Sequence, residues 1–219
     1  MTDHADLVVW RHGRTEWNDT GRFQGHTDVP LDAVGHAQAE TAAAALAMLA
    51  PTAIVSSDLA RARETATYLS DRTGVPLVLD ERFREIDVGE WGGLTRAEIE
   101  TRFPETNAAW LRGEDVRREG GETLSEVTER AMAALTDALE KSGDGPLVVV
   151  THGGVSRALV LALLDLPVSY AGVLAALGNA RWAGLIRRGS GWRLTAYNVG
   201  REPAATEPGR DDTTTEPVL

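Results

Sequence analysis

Short apolar runs alternate with helical patterns along most of this chain. Two of the runs, residues 7–10 and 147–150, are rich in valine and lead into a histidine followed by glycine. Apolar runs of this kind, bounded by glycine, are typical of buried strands in a parallel sheet. Ligands of open α/β sheets bind beyond the carboxyl ends of the strands. The pattern therefore predicts that His12 and His152 lie at the edge of a sheet where such folds place their chemistry.

The same alternation continues along the chain and ends in an antiparallel pair. Further strands are predicted at residues 53–56, 76–79, 181–187 and 192–199. Helices are predicted at residues 32–50, 59–73, 95–103, 123–141 and from 155 to just before Pro167, with another beginning at Pro104. The polar segment 13–30 is predicted to be a loop. This order favours one α/β domain, a three-layer α/β/α sandwich with a mostly parallel central sheet.

The C-terminal end of the chain differs in composition from the rest. Residues 201–219 are rich in proline, threonine and acidic side chains and contain almost no apolar ones. Such a composition favours disorder because too little apolar surface is available for burial. The sequence therefore predicts a folded domain over residues 1–200 and a disordered tail over residues 201–219.

Composition and charge narrow the functional classes. The 22 basic and 33 acidic residues give a net charge of -11, which argues against nucleic acid as a general partner. The lack of cysteine excludes disulfides, thiolate catalysis and cysteine-rich zinc sites. The N-terminal residues do not resemble a signal peptide, and no stretch approaches the ~20 apolar residues of a membrane span. A cytoplasmic protein without membrane partners is therefore expected.

Histidines beside arginines suit phosphoryl transfer. A neutral imidazole can accept a phosphoryl group, whose oxygens must be held and whose charge must be neutralised. Arginine does both well because its planar fork bonds oxyanions and is always charged. Arg11 adjoins His12, and Arg61 lies early in a predicted helix just beyond a strand. Glu85, after the third strand, is the best-placed carboxylate to protonate a departing alkoxide and then activate water.

A set of motifs occurs in a fixed order along the chain. It comprises Arg11-His12-Gly13, Thr15-Glu16-Trp17-Asn18, Arg22-Phe23-Gln24-Gly25, Ser56-Ser57-Asp58-Leu59-Ala60-Arg61, Glu85 with Gly89-Glu90-Trp91, Gly120-Gly121-Glu122 and Thr151-His152-Gly153-Gly154. In this order the motifs resemble the histidine phosphatase superfamily, which contains the cofactor-dependent phosphoglycerate mutases and related phosphatases. The resemblance covers about residues 6–200 and implies a phosphoglycerate mutase-like fold. The ordered set is specific, whereas Arg-His-Gly alone would be a weak signal.

The resemblance implies a role for each matching residue. His12 would accept the phosphoryl group as a phosphohistidine, and Glu85 would act first as a general acid and then as a base. The phosphoryl group and nearby substrate would be bound by Arg11, Asn18, Gln24, Arg61 and His152. The substrate would be a small phosphorylated metabolite, and no metal or other cofactor would be needed. Because His12 must be neutral while His152 works better protonated, their pKa values are expected to move apart.

The residues between Glu85 and His152 indicate which branch of the family the chain resembles. Similar mutases carry extra basic and tyrosine side chains there, but the segment just after Glu85 has neither tyrosine nor lysine. A phosphatase is therefore favoured over a mutase. Segment 177–182 resembles an actinobacterial subgroup that includes glucosyl-3-phosphoglycerate phosphatases. An α-ribazole phosphatase, a sugar-phosphate phosphatase, a broad phosphomonoesterase and a non-catalytic module that binds a phosphorylated ligand stay open.

The surroundings of the site give weaker signals. Trp91 and Trp110 are candidates for lining a substrate pocket. The charged segment 112–118 is interpreted as a solvated loop whose arginines would assist an anionic substrate. Edge strands late in the fold would allow a homodimer.

Overall fold

A six-stranded mixed sheet forms the centre of the computed structural model, which describes residues 6–200. The strands are β1 (Leu7–Arg11), β2 (Ala53–Ser56), β3 (Leu77–Leu79), β4 (Leu147–Thr151), β5 (Trp182–Arg188) and β6 (Gly191–Val199). They lie in the order β3-β2-β4-β1-β5-β6, with the first four parallel and the last two antiparallel. The predicted α/β class and mostly parallel sheet are confirmed. The predicted tail, residues 201–219, lies outside the described residues.

Seven α-helices surround this sheet within residues 6–200. They are α1 (Glu16–Asp19), α2 (Ala33–Ala47), α3 (Ala60–Thr73), α4 (Arg96–Arg102), α5 (Pro104–Leu111), α6 (Leu124–Lys141) and α7 (Gly153–Leu163). Single 3-10 turns occupy Glu81–Phe83 and Gly89–Trp91, and a longer one spans Val168–Val173. Helix α6 begins at a capping box in which Thr123 accepts from the Glu126 amide. The helix boundaries follow the predicted ones closely, apart from α1 and the start of α7.

Helix α1 lies inside the segment that was predicted to be a loop. A second capping box forms it, because Thr15 accepts from the Asn18 amide and the Asn18 side chain reaches back to the Thr15 amide. Four residues are too few to show an apolar period, so the hydrophobic pattern missed this helix. Helix α7 begins at Gly153, two residues earlier than predicted, directly after His152.

The alternation of side chains along the strands divides the core into two layers. Val8 and Trp10 of β1 pack with apolar residues of α2 and α3 on one face. Leu7 and Val9 pack with α6 and α7 on the other face, and all four side chains are fully buried. Because side chains alternate between the two faces of a strand, the short apolar strand β1 contributes residues to both core layers. This arrangement is the expected α/β/α sandwich.

The strand register brings the two histidines to equivalent positions. In the parallel pair β1–β4, Arg11 lies opposite Thr151, so His12 and His152 follow at the same edge of the sheet. The His12 amide continues the ladder by donating to the Thr151 carbonyl at 3.0 Å. The Ser57 amide, just after β2, donates to the Val150 carbonyl at 3.0 Å. The predicted gathering of both histidines at one edge is therefore confirmed.

Candidate active site

A pocket opens at this edge of the sheet, and we call it the histidine pocket. It is lined by six of the seven residues that the sequence singled out: Arg11, His12, Asn18, Gln24, Arg61 and Glu85. The seventh, His152, is fully buried behind His12, with 5.2 Å between the centroids of the two rings and an angle of 60° between their planes. The structure thus brings together all seven predicted site residues.

The His12 ring is held in one orientation and one tautomer. Its Nδ1 lies 2.7 Å from the Gly13 carbonyl oxygen, which only accepts, so Nδ1 carries the proton. The lone pair of the neutral ring is therefore on Nε2. The Gly13 amide donates in turn to Thr65 Oγ1 at 3.0 Å. A Cβ at Gly13 would stand 2.4 Å from the Gly35 carbonyl oxygen, so only glycine allows this close approach.

Arg61 fixes the second histidine. Its Nε donates to His152 Nδ1 at 3.1 Å, and its two terminal nitrogens donate to the carbonyls of Thr27 (2.9 Å) and Gly25 (2.8 Å). Since a guanidinium only donates, His152 Nδ1 has no proton. The His152 proton is therefore on Nε2, which donates to Ser57 Oγ at 2.9 Å. His152 is neutral in this arrangement.

The electrostatics lower the pKa values of both rings. Burial has the largest effect on the pKa of His12, and the positive charges of Arg61 and Arg11 lower it further. Burial, then Arg61, lowers the pKa of His152 well below its usual value. The expectation that the two pKa values move apart is therefore wrong for this arrangement. The reason is that Arg61 and Ser57, which bond the His152 ring, do not provide a negative charge.

Glu85 lies at the amino end of α7. One carboxylate oxygen accepts from the Ile86 and Val155 amides at 2.9 and 3.3 Å, and the other accepts from the Gly154 amide at 3.1 Å. The helix amino terminus also favours a negative charge at this place. A Cβ at Gly154 would stand 2.7 Å from a Glu85 oxygen, so the glycine makes room for the carboxylate.

Asp87 and Glu90 lie close to Glu85 in the sequence, but the structure places them differently. Asp87 accepts from the Gly89 amide at 2.9 Å and so closes its own turn. Glu90 is exposed to solvent. Neither of these residues lines the histidine pocket, whereas Glu85 does. The geometry therefore favours Glu85 as the acid of the site.

Three substrate-side residues complete the pocket. Arg11 is 4% exposed and donates to the Leu177 carbonyl at 2.6 Å. Asn18 accepts from the Thr15 amide and from Asn179 Nδ2, both at 3.1 Å. Gln24 is 9% exposed, and its side-chain oxygen has no hydrogen-bond partner within the described part of the chain. Arg11 lines the pocket from the end of β1, Asn18 from α1 and Gln24 from the loop that follows α1.

Sequence reasoning missed the residues that hold these groups in place. Arg130 of α6 donates to the carbonyls of Arg82 and Arg84 at 2.7 Å and of Glu85 at 2.9 Å. His26 lies 2.8 Å from the same Glu85 carbonyl. These contacts join residues 45 or more positions apart, and no local pattern reports them. Asn179 is the exception, because it belongs to the segment 177–182 that carried a family likeness.

The structure changes two predictions, one about the tryptophans Trp91 and Trp110 and one about the charged segment 112–118. Trp91 is fully buried in the core and does not line the histidine pocket, because it packs edge-to-face against Trp110 and Phe23. Trp110 lines a separate cavity. The charged segment 112–118 is mostly exposed as predicted, but Arg118 is only 4% exposed. The sequence pattern missed this burial because a charged run is normally solvated.

Within residues 6–200, no group of three or more histidine or acidic side chains is arranged to hold a metal ion. None of the helices described is long and apolar enough to cross a membrane.

The sandwich fold and the arginine-rich histidine pocket define an enzyme class that acts on phosphate esters. A family model for the histidine phosphatase superfamily (branch 1) matches residues 7–200, and the chain belongs to this superfamily. The resemblance stated from the sequence is confirmed.

Relatives of the chain include proteins named as phosphatases and proteins named as probable phosphoglycerate mutases. The chain is 39% identical over 216 residues to a glucosyl-3-phosphoglycerate phosphatase from Mycolicibacterium vanbaalenii, covering 90% of this chain and 96% of that one. It is 38% identical to the Mycobacterium tuberculosis protein of the same name, and the alignment covers 90% of this chain and 95% of that protein. A solved structure of mycobacterial glucosyl-3-phosphoglycerate phosphatase with VO3 superposes with a TM-score of 0.84 at 37% identity. The superposition covers 90% of this chain and 100% of that one.

Proposed function

We propose that this protein hydrolyses the phosphate monoester of a small phosphorylated metabolite through a phosphohistidine on His12, without a metal. The observation that carries the proposal is the anchored His12 ring. Its Nδ1 proton is held by the Gly13 carbonyl, so a neutral Nε2 with a lone pair belongs to the pocket that Arg11 and Arg61 also line. The phosphatase names of the mycobacterial relatives support the same reaction class.

In the first step, His12 Nε2 attacks the phosphorus atom while the bond to the ester oxygen breaks. The charges of Arg11 and Arg61 neutralise the phosphoryl oxygens, as phosphoryl transfer requires. Glu85, which is protonated before this step, gives its proton to the departing alkoxide and becomes the carboxylate that the surrounding amides bind. In the second step, Glu85 takes a proton from water, which attacks the phosphohistidine and releases inorganic phosphate. The carboxyl group and the imidazole then return to their starting states.

The remaining site residues bind the phosphoryl group in this account. His152 would turn its Nε2 proton from Ser57 to a phosphoryl oxygen, and the negative charge of that oxygen would raise the pKa of His152. Asn18 and Gln24 would donate to the same group from the pocket wall. The Gln24 oxygen without a partner fits a side chain that orients its amide toward a ligand.

The first substrate to test is glucosyl-3-phosphoglycerate, because two mycobacterial relatives carry its name and match almost their whole length. Mutase-type transfer and binding without turnover are the competing outcomes. The cytoplasmic location, the homodimer and the lack of a nucleic-acid partner stay predictions.

Phosphate release by the purified full chain tests the proposal. The panel contains glucosyl-3-phosphoglycerate, 3-phosphoglycerate, α-ribazole phosphate, sugar phosphates and an aryl phosphate, each with excess chelator. His12→Ala is expected to abolish turnover, whereas His36→Ala, which removes a histidine that bonds Tyr68, is expected to retain it. Inhibition by chelator that added metal reverses would contradict the metal-free mechanism. Turnover that survives in His12→Ala would contradict the phosphohistidine.

A further inference from the structure

Glu85 lies on a segment that has no regular secondary structure. One 3-10 turn ends at Phe83 and the next begins at Gly89, and residues 84–88 belong to no helix or strand. Backbone polar groups outside a hydrogen-bonded ladder need other partners. A group that transfers a proton to a substrate must also be held within about 0.5 Å of its working position. The contacts that fix this segment therefore determine how well Glu85 can act as the acid.

Side chains from two other elements bind the backbone of this segment. The carbonyls of the four consecutive residues 82–85 all accept side-chain hydrogen bonds. Arg130 of α6 donates to three of them, at 2.7, 2.7 and 2.9 Å, and the last of these is the carbonyl of Glu85. Thr151, the residue before His152, donates from its hydroxyl to the fourth at 2.8 Å. The backbone of the acid is thus anchored to α6 and to the strand that leads to the second histidine.

Arg130 uses every donor of its guanidinium in this arrangement. Of its five N–H groups, three donate to the carbonyls and the other two donate to the carboxylate of Glu122. The bonds to Glu122 run from Nε at 2.8 Å and from Nη2 at 2.7 Å. Arg130 does not line the histidine pocket. Because no N–H group is left for a ligand, Arg130 acts on the reaction through the residues that it holds.

Glu122 ties the other side of the acid to the same arginine. Its Oε2 accepts from the Asp87 amide at 2.9 Å, and its own amide donates to the Asp87 carbonyl at 2.8 Å. Because the same carboxylate binds Arg130, the segment is held on both sides of Glu85. This arrangement gives a structural role to the Gly-Gly-Glu motif at residues 120–122, for which the sequence alone indicated none.

The groups that would bind the phosphoryl group do not depend on α6 in the same way. His12 and Arg61 are held by backbone carbonyls of the segment between β1 and α2. Burial has the largest effect in lowering the pKa of His152, and the charge of Arg130 has the smallest of five effects on it. Such an effect on His152 would be common to all phosphate esters. Only the contact with Glu85 links Arg130 to the departing alcohol.

We infer that Arg130 and Glu122 are positioning residues for the acid, which together hold the backbone of Glu85 so that its carboxyl group reaches the ester oxygen. The inference rests on the proposed phosphatase reaction and adds two residues to it. Loss of this hold impairs protonation of the departing alkoxide, whereas attack by His12 and binding of the phosphoryl oxygens are retained. The defect therefore depends on the leaving group, which a general loss of structure would not show.

Turnover of an alkyl and an aryl ester by Arg130→Ala tests the inference. The alkyl ester is the one that wild-type protein hydrolyses best in the panel, and the aryl ester is para-nitrophenyl phosphate. The value of kcat/KM is compared because it reports the steps up to formation of the phosphohistidine, in which the leaving group departs. Arg130→Ala should lower kcat/KM for the alkyl ester by about 10- to 100-fold and for the aryl ester by less than about threefold. Arg112→Ala, which breaks an exposed pair with Glu114, should leave both values unchanged.

Combining this variant with Glu85→Gln shows whether Arg130 acts through the acid. In the Glu85→Gln background, Arg130→Ala should lower kcat/KM for the alkyl ester by less than about threefold, because the proton transfer is already lost. Guanidinium chloride, far below concentrations that unfold the protein, should restore part of the alkyl turnover to Arg130→Ala, whereas sodium chloride should not. Equal losses on both esters, or a full further alkyl loss in the Glu85→Gln background, would overturn the inference.

A second variant and the wild-type rates separate the inference from the proposed function. Where Arg130→Ala fails to fold, Glu122→Gln keeps the side-chain shape and gives the same comparison, with an alkyl loss at least about fivefold larger than the aryl loss. Wild-type protein that hydrolyses neither ester would contradict the proposed function, and the inference would fall with it. Wild-type turnover of both esters, with an unchanged ratio in the variants, would overturn the inference alone.

Discussion

The histidine pocket and the separate cavity beside it, which Arg118 lines, contain buried arginines that are held in different ways. Arg61 donates to His152 and to two backbone carbonyls, so its position is fixed by hydrogen bonds at both ends of the guanidinium. The Arg118 guanidinium carbon lies 5.5 and 5.9 Å from the ring centroids of Trp91 and Trp110, and two of its nitrogens have no hydrogen-bond partner in the described chain. The first arrangement fixes the guanidinium in one geometry, whereas the second leaves donors of a buried cation without a hydrogen-bond partner in the described chain.

This difference bears on what catalysis and substrate selection each require of a buried arginine. Catalysis needs charges that do not reorganise during the reaction, and a hydrogen-bonded arginine meets that need. Selection among substrates needs donors whose hydrogen bonds are completed by the correct ligand alone. The residues of the histidine pocket belong to motifs shared with the family, whereas Arg118 belongs to a charged loop outside those motifs. The proposed catalytic arginines thus belong to the family's motifs, whereas Arg118 does not.

Among the substitutions that leave His12 in place, Glu85→Gln has the largest expected effect. The amide cannot give a proton to the alkoxide, so turnover of alkyl phosphates should fall by about 10²- to 10⁴-fold. Aryl phosphates should lose less than about tenfold, because their leaving groups need little protonation. Steady-state rates on one alkyl and one aryl ester measure the difference. Asp87→Asn, which alters the neighbouring acid that closes its own turn, is the matched control. Equal losses on both esters in Glu85→Gln would assign the acid role to another group.

A smaller but still large effect is expected for Arg61→Lys. The substitution keeps the positive charge but removes the fork that reaches His152, Thr27 and Gly25 together. We expect kcat/KM for an aryl phosphate to fall by about 10²- to 10³-fold. Arg63→Lys, on the same helix but exposed, serves as the control. Retention of more than a tenth of the wild-type rate would show that charge alone is sufficient and would remove the contrast with Arg118.

The smallest of these effects concerns stability against pH. His12 and His152 have lowered pKa values in the folded protein, so the unfolded chain binds more protons as the pH falls below the ordinary value of about 6.5. Their contribution to stability is therefore fully present above pH 6.5 and is lost below it. Each histidine should lower the free energy of unfolding by about 1.4 kcal/mol between pH 7.5 and 5.5.

Urea unfolding of wild-type protein and His152→Asn measures this loss. The variant should show a smaller drop over the same interval, because it contains one fewer buried imidazole. His36→Asn, in which a half-buried histidine is replaced, should keep the wild-type drop. An unchanged drop in His152→Asn would mean that the second histidine is not neutral in the folded protein.

The parts of the fold that could be predicted are those encoded by local patterns. The apolar runs before His12 and His152 predicted the strands, and the parallel register then placed both rings at one edge. The order of motifs predicted the pocket residues, because side chains at strand ends converge in this fold. Helix α1 was missed since it is formed by one capping box within a polar segment.

Other features depend on contacts that sequence patterns do not report. Arg130 reaches the carbonyl of Glu85 from a helix 45 residues away, and nothing in the α6 pattern singles it out. The burial of Arg118 depends on the packing of Trp91 against Trp110, which joins two separate segments. The lowered pKa of His152 depends first on its burial and then on the charge of Arg61, which lies 91 positions away in the sequence. These features depend on contacts between distant segments, which local sequence patterns do not reveal.

Rapid-quench mass spectrometry of the full chain during turnover shows whether His12 carries the phosphoryl group. Protein mixed with excess aryl phosphate is quenched in alkali, under which a phosphohistidine survives, and the modified peptide is sequenced. The account predicts one phosphoryl group on His12, formed at least as fast as turnover and missing in His12→Ala. Turnover without a phosphorylated protein, or a phosphoryl group on another residue, would contradict it.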